Sequence, residues 1–330
     1  MKPGKLDCAR ALLEPLWETK AHSPTPGPRS GHQWHWQDVK AYITEAAKLT
    51  SPEVVERRVL RLMNPEPAFE DDESTAGNLA AAIQILLPGE KARPHRHSIN
   101  ALRFIMEGHG ATTIVNGIPV AMNPGDLLLT PGDCWHEHYH DGDRPSIWLD
   151  VLDAPVHNAL GIITFEPGPV AKEKMPASLP IGAFKAPSIL PCGISHGRAY
   201  SPVFSYPYED VLRVLDHAPV GPEGLRAVRY ANALTGGAAM STLDIQMLGL
   251  EPAEPSRDYR CNADFIFLVV DGEGTTQVGD ETMSWSKYDI LTIPRNNWFH
   301  HEARSKAHLL QVSDSEMLRR LDLFEESYRS

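Results

Sequence analysis

The sequence predicts a mainly β protein of two jelly-roll barrels framed by helices at either end, and three observations carry that expectation. Short apolar runs alternate with Gly and Pro turns such as Pro88-Gly89, Asn116-Gly117 and Asn123-Pro124-Gly125, the pattern of many short antiparallel strands. The pattern then repeats. Aligning Glu107-Gly108-His109-Gly110 with Asp271-Gly272-Glu273-Gly274 also sets Asp126, Pro131 and Trp135 opposite Asp289, Pro294 and Trp298, after a hairpin one residue shorter, so one unit occurs twice. Helical periodicity, finally, is confined to the flanks.

In chain order, residues 1–70 form an N-terminal arm and helices. The Pro-rich stretch Ser23–Pro28 is irregular, and a helical reading runs from Asp38 to about residue 62, with Ser51-Pro52-Glu53 opening its second part. Residues 71–155 make the first barrel. A strand runs through His95 to Met106, Ala111 to Val115 and Ile118 onward form a hairpin about Asn116-Gly117, and Leu127 to Thr130 begins the strand before His136. Residues 156–225, with many Pro and Gly between about 155 and 205, read as a connection. Residues 226–314 make the second barrel, and residues 315–330 a closing amphipathic helix that turns Leu318, Leu321 and Phe324 to a surface.

The chain has 330 residues, 42% of them hydrophobic, and a formal charge of −12. Cores for two domains are within reach. No basic cluster supports binding to nucleic acid. No apolar run approaches a membrane span and no secretory leader follows Met1, so the sequence predicts a cytoplasmic protein without membrane contact. Cys8, Cys134, Cys192 and Cys261 are widely spaced, which supports neither a disulfide scaffold nor a structural zinc site.

The chemistry concentrates in His95-Arg96-His97 and Trp135-His136-Glu137-His138. Side chains two apart on a strand share a face, so His95 and His97 can address one ion while Arg96 points away. His136, from a distant strand, closes the set. The repeat places Tyr259, Cys261 and Phe299 opposite these three, and Phe267 opposite Arg103, so the second barrel lacks the ligands. His301 falls opposite His138.

These paired motifs, with Gly89, Gly108, Gly125-Asp126 and Pro131, resemble those of the cupin family. The resemblance narrows through Arg57-Arg58-Val59-Leu60, Asn64-Pro65, the stretch from Gln84 to Glu107-Gly108, Trp148–Pro155, Ser201-Pro202 and Tyr206-Pro207-Tyr208. Together they are similar to the gentisate 1,2-dioxygenase family, which includes salicylate and 1-hydroxy-2-naphthoate dioxygenases. The resemblance implies a bicupin fold, a homotetramer and Fe(II). It also implies cleavage of the aromatic ring between its carboxylate-bearing and hydroxyl-bearing carbons. Ala101 or Leu102 stands where a cupin supplies Glu. Three neutral imidazoles then leave Fe(II) its charge and open positions, which suits an aromatic 2-hydroxy acid and O2.

Further site residues follow. Arg103 is positioned to grip the substrate carboxylate, with Gln84 and Arg58 as additional substrate contacts. His138 is placed to accept a proton, and Asp150 to orient its imidazole. Ala80 stands where the family leads one to expect a bulky aromatic, with Ala82 beside it, and this opens space for a ring substituent. Gentisate is the first expectation. A 5-substituted salicylate such as 5-nitrosalicylate, or 1-hydroxy-2-naphthoate, is the alternative. A metal-dependent isomerase and a non-catalytic binding bicupin are the alternatives of other classes.

Overall fold

The computed structural model describes residues 30–66, 73–169, 184, 189–193, 197–252 and 255–329. Ser23–Pro28 and Cys8 lie outside them. Among the described residues, twenty-two short strands arrange into two pairs of facing antiparallel sheets, each a six-stranded sheet opposite a five-stranded one. In the first barrel the six-stranded sheet runs Ser205–Tyr206, Leu127–Thr130, Ala101–Glu107, Ser146–Leu152, Ala80–Leu86, Val59–Leu62. The five-stranded sheet runs Phe165–Pro167, Lys91–His97, His136–His140, Ala111–Val115, Ile118–Met122. The second barrel repeats this order from Ile290–Ile293 to Arg226–Arg229 and from Glu281–Trp285 to Tyr259–Cys261. This is the bicupin architecture that the repeat and the resemblance imply.

Burial separates the two kinds of sheet. The five-stranded sheet of the first barrel alternates buried and half-exposed residues, as Ala111–Val115 and His136–His140 show, because one face meets water. Strands Ala101–Glu107 and Phe265–Asp271 are buried almost throughout. Their six-stranded sheets pack back to back. Leu102, Phe104 and Met106 from the first share one apolar cluster with Ile266, Leu268, Leu310 and Val312 from the second. Each such side chain contributes roughly 1.5–3 kcal/mol on burial, so this seam joins the barrels firmly. The second barrel's interior is a separate cluster around Phe265, Phe267, Leu291 and Phe299.

Two short strands cross between the repeats. His32–Trp34 pairs with Ile290–Ile293 of the second barrel, and Ser205–Tyr206 pairs with Leu127–Leu128 of the first.

Several expected elements differ. The helical reading to residue 62 ends early: helices span Trp36–Leu49 and Pro52–Val55, and Val59–Leu62 is an edge strand paired with Ala81–Gln84. The change of direction is a γ-turn centred on Glu56, at φ 61° and ψ −47°, closed by Arg57 N–H donating to the Val55 carbonyl at 2.6 Å. The strand from His95 to Met106 is two strands, broken over residues 98–100 where the chain passes from one sheet to the other and the Asn100 N–H donates to Asp153 Oδ1. The closing helix is only Ser315–Arg320. Glu326–Tyr328 then adds a strand beside Tyr259–Cys261, which leaves Leu321 exposed while Leu318 and Phe324 pack on the second core. The connection after residue 155 holds a helix, Ala154–Ala159, and the strand Phe165–Pro167.

Candidate metal centre

Strands Lys91–His97 and His136–His140 pair with His95 opposite His136, and directly paired residues project to one face. His97, two residues on, shares that face. The three rings converge: centroid separations are 4.1 Å for His95–His136, 4.9 Å for His97–His136 and 5.6 Å for His95–His97. One nitrogen from each lies within 4.8 Å of the others. Among the described residues no carboxylate belongs to this group. Arg96 points outward, ion-paired with Glu166 and lying over the Trp135 ring.

The hydrogen bonds fix the tautomers. Nδ1 of His95 lies 3.1 Å from the Arg93 carbonyl, that of His97 2.9 Å from the Ile99 carbonyl, and that of His136 3.0 Å from the Cys134 carbonyl. A carbonyl only accepts, so each Nδ1 carries the proton and each Nε2 keeps a lone pair. His95 Nε2 is buried without a partner among the described residues. Burial, with Arg57 as the next cause, depresses the His95 pKa to about 3 and that of His97 to about 4, and burial with the two neighbouring imidazoles holds His136 well below its usual value. All three are neutral at pH 7. Preformed neutral imidazoles with converging lone pairs fit a divalent transition metal.

A second group lies against the first. Arg103 is buried. Its Nε donates to Asp150 Oδ1 at 2.8 Å, and one Nη lies 3.2 Å from His138 Nδ1 and 3.3 Å from Thr113 Oγ1. Asp150 Oδ2 accepts from the Trp148 indole at 3.0 Å. Asp150 therefore orients Arg103, and not His138 as the sequence suggested. The cause is cross-strand pairing, which sets Asp150 directly opposite Arg103 on one side and Ala82 on the other. His138 also differs from expectation. A guanidinium only donates, so His138 Nδ1 is an acceptor and its proton sits on Nε2, which is buried with no partner among the described residues. Burial, then the charge of Arg103, holds its pKa well below the usual value. In this state His138 offers an N–H donor and not a base.

Ala80, Ala82 and Gln84 alternate along strand Ala80–Leu86 and share the face that carries Asp150 and Arg103. The Gln84 amide makes no hydrogen bond among the described residues and Gln84 is 2% exposed, so its polar head is free for a ligand.

Arg58 is a correction. Its guanidinium donates to the Ala47 and Thr50 carbonyls at the end of the first helix and pairs with Glu90, so it fastens that helix to the turn at residues 87–90. Arg57 takes its place: its charge depresses the pKa values of His95, His97 and His138, and it interacts with Arg103 and Asp150. The Glu56 turn decides which arginine faces inward. Phe165 was also missed; its ring stacks on His95 at 5.5 Å and is half exposed.

The comparisons with known proteins agree with this geometry. Residues 82–152 match the cupin domain. Over 329 residues the chain is 35% identical to gentisate 1,2 dioxygenase 1 of Aquipseudomonas alcaligenes, covering 96% of this chain and 92% of that one. It is 31% identical to 5-aminosalicylate 1,2-dioxygenase of Comamonas sp., covering 97% and 88%. The crystal structure of salicylate 1,2-dioxygenase from Pseudoaminobacter salicylatoxidans, with gentisate, superposes with a TM-score of 0.88 at 29% identity, covering 100% of this chain and 96% of that one.

Proposed function

The chain belongs to the gentisate 1,2-dioxygenase family of ring-cleaving bicupin dioxygenases, and from that premise we propose that it is an Fe(II) enzyme acting on gentisate. The observation that carries the reading is the set of three neutral imidazoles beside the buried Arg103. Fe(II) held by His95, His97 and His136 would supply open positions for two adjacent substrate oxygens and for O2, and would relay electrons between them. The bond between the carbon that bears the carboxylate and the carbon that bears the hydroxyl would break, and one atom of O2 would end on each of them.

The chain's own residues bind and orient. Arg103 has Nε engaged by Asp150 and one Nη beside His138, which leaves its other Nη to grip the substrate carboxylate. Arg57 adds a second positive charge on the same side. His138 Nε2–H donates to a substrate oxygen and favours its ionised form. Gln84 donates from the strand beside Asp150, and Phe165 covers His95 and limits water.

A 5-substituted salicylate is a second reading, because Ala80 and Ala82 present only methyl groups along that wall and a similar protein is a 5-aminosalicylate 1,2-dioxygenase. 1-Hydroxy-2-naphthoate tests the same space. The family membership decides against the isomerase and the non-catalytic binder. A homotetramer stays part of the proposal, and light scattering checks it. The test of function is metal analysis with oxygen uptake over a panel of hydroxybenzoates. We expect one iron per chain and turnover only where carboxylate and hydroxyl are ortho, fastest on gentisate. Cleavage of 3- or 4-hydroxybenzoate at a comparable rate would refute chelation. Cleavage of 5-nitrosalicylate with little activity on gentisate would keep the mechanism and overturn the substrate.

A further inference from the structure

The second barrel has lost the metal ligands but not its interior histidine. Thr276 pairs with His301 across strands Gly274–Val278 and Phe299–Ala303, as Thr113 pairs with His138 in the first barrel. The hydroxyl contact recurs as well, at 2.7 Å from Thr276 Oγ1 to His301 Nδ1 and 3.0 Å from Thr113 Oγ1 to His138 Nδ1. Around this pair the chemistry has changed. By the strand pairings Phe267 stands for Arg103 and Gln311 for Asp150.

The hydrogen positions can be assigned. The Trp285 indole donates to Thr276 Oγ1 at 2.9 Å, and His301 Nδ1 is the acceptor that Thr276 Oγ1 has among the described residues, so donation from the hydroxyl to Nδ1 satisfies both groups. His301 then carries its proton on Nε2. That atom is buried without a partner among the described residues, in a residue only 2% exposed, which costs about 1–3 kcal/mol for a donor that has lost water and gained nothing. His301 lines a cavity of about 50 Å³, walled by Tyr259, Phe265, Phe299, Gln311 and Arg319. A water needs roughly 10–15 Å³ of such space, so the cavity holds about four heavy atoms.

The remaining polar groups include both donors and acceptors. The Gln311 amide makes no hydrogen bond among the described residues, and Arg257, at the same cavity, makes no ion pair among them. Arg319 is held by Asp244 at 3.1 Å. Glu326 accepts from the Tyr259 hydroxyl at 2.9 Å and Glu223 from the Tyr328 hydroxyl at 3.4 Å. Burial and the nearby Glu326 push the Glu223 pKa up. Arg319 is already shared with Asp244, so Arg257 is the cation left to offset Glu326, while burial favours the neutral form of Glu223.

We propose that the second barrel is a binding site for a small monocarboxylate, accepted by His301 Nε2–H and the Gln311 amide with Arg257 at the mouth. The methyl or equivalent group of such a ligand packs on Phe265 and Phe299. This does not depend on the substrate assigned to the first barrel.

Calorimetric titration of the full-length, iron-loaded protein with sodium acetate, in a buffer free of carboxylates, tests it. Acetate can also enter the first barrel, through Arg103 and the open positions of the iron, so the titration is run on Arg103→Ala and the second-barrel site is read as the part of the isotherm that His301→Phe weakens. A four-atom ligand reaches at best a micromolar-to-millimolar Kd. We expect one saturable site per chain in Arg103→Ala, weakened at least about tenfold when His301→Phe or Gln311→Leu is added. His301→Phe alone should leave iron content and oxygen uptake unchanged, which shows that it folds. If His301→Phe does not fold, Gln311→Leu decides. The absence of a saturable isotherm in Arg103→Ala up to about 100 mM acetate, or an isotherm that neither second-barrel change weakens, overturns the proposal. Failure of the hydroxybenzoate panel would leave this result standing.

Discussion

Replacing Asp150 by Asn separates the two roles that a carboxylate at this position can have. Asp150 receives Arg103 Nε at 2.8 Å and the Trp148 indole at 3.0 Å, and the pair's side chains are 3% and 9% exposed. Asn keeps one acceptor oxygen for two donors. Its NH2 therefore faces either the guanidinium or the indole, donor against donor, and the charge of Arg103 loses its buried partner. Removing one member of such a pair costs about 3–5 kcal/mol, and the isosteric amide recovers part of this, so a loss of about 2–3 kcal/mol is expected. For a chain of this size, with an unfolding entropy of about 0.7 kcal/mol/K, that lowers Tm by roughly 3–4 °C. Arg103, less firmly held, also loses its grip on the substrate. A charged hydrogen bond contributes about 1.5–3 kcal/mol, so KM for gentisate should rise about ten- to hundredfold while iron content stays near one per chain. Thermal unfolding, metal analysis and oxygen uptake measure these quantities. An unchanged KM with a displaced pH optimum would refute the reasoning and show that Asp150 acts on His138.

Replacing His95 and His97 together by Ala should abolish iron binding, and stoichiometric iron in that variant would remove the assignment of the site. Ala80→Tyr refills the wall beside Asp150 and should suppress turnover of 5-nitrosalicylate more than that of gentisate; equal effects on both would show that Ala80 does not face the ring. Acid should destabilise the metal-free protein. His95, His97 and His301 titrate at about 3, 4 and 3 when folded, against 6.5 for a free imidazole. Between these values the unfolded chain binds more protons, so stability is present above about pH 6.5 and falls as pH drops toward 4, by about 1.4 kcal/mol per unit for each group at most. Chemical denaturation from pH 7 to 4.5 measures the slope, which His301→Gln should make shallower; stability that rises on acidification would contradict the burial of neutral imidazoles.

The parts of the site that were legible in the sequence are those set by local periodicity. His95 and His97 share a face because a strand repeats every two residues, and the matched turns of the repeat placed Tyr259 and Cys261 opposite them. What was not legible depends on pairing between distant strands or on one backbone angle. Asp150 meets Arg103 only because their strands pair in that alignment. Arg57 rather than Arg58 faces the imidazoles because Glu56 takes a positive φ, and nothing in Val55-Glu56-Arg57 announces it. Phe165 was hidden in a segment whose Pro and Gly content suggested only a connection, and its edge pairing with strand Lys91–His97 had no local signal.

The pairing of His32–Trp34 with Ile290–Ile293 spans about 260 positions of chain. During synthesis the first of these strands leaves the ribosome long before the second exists. At roughly 5–20 residues per second, tens of seconds pass before its partner appears, and the first barrel can assemble in that interval. The early segment must wait unpaired beside it. Gln33 and the Trp36 N–H also make hydrogen bonds to Asp289, a residue of the late-made barrel, so the N-terminal helix gains these anchors only near the end of translation. A chain halted before residue 290 therefore carries an unsatisfied strand edge next to an otherwise complete metal-binding barrel, a species exposed to mispairing with its own copies.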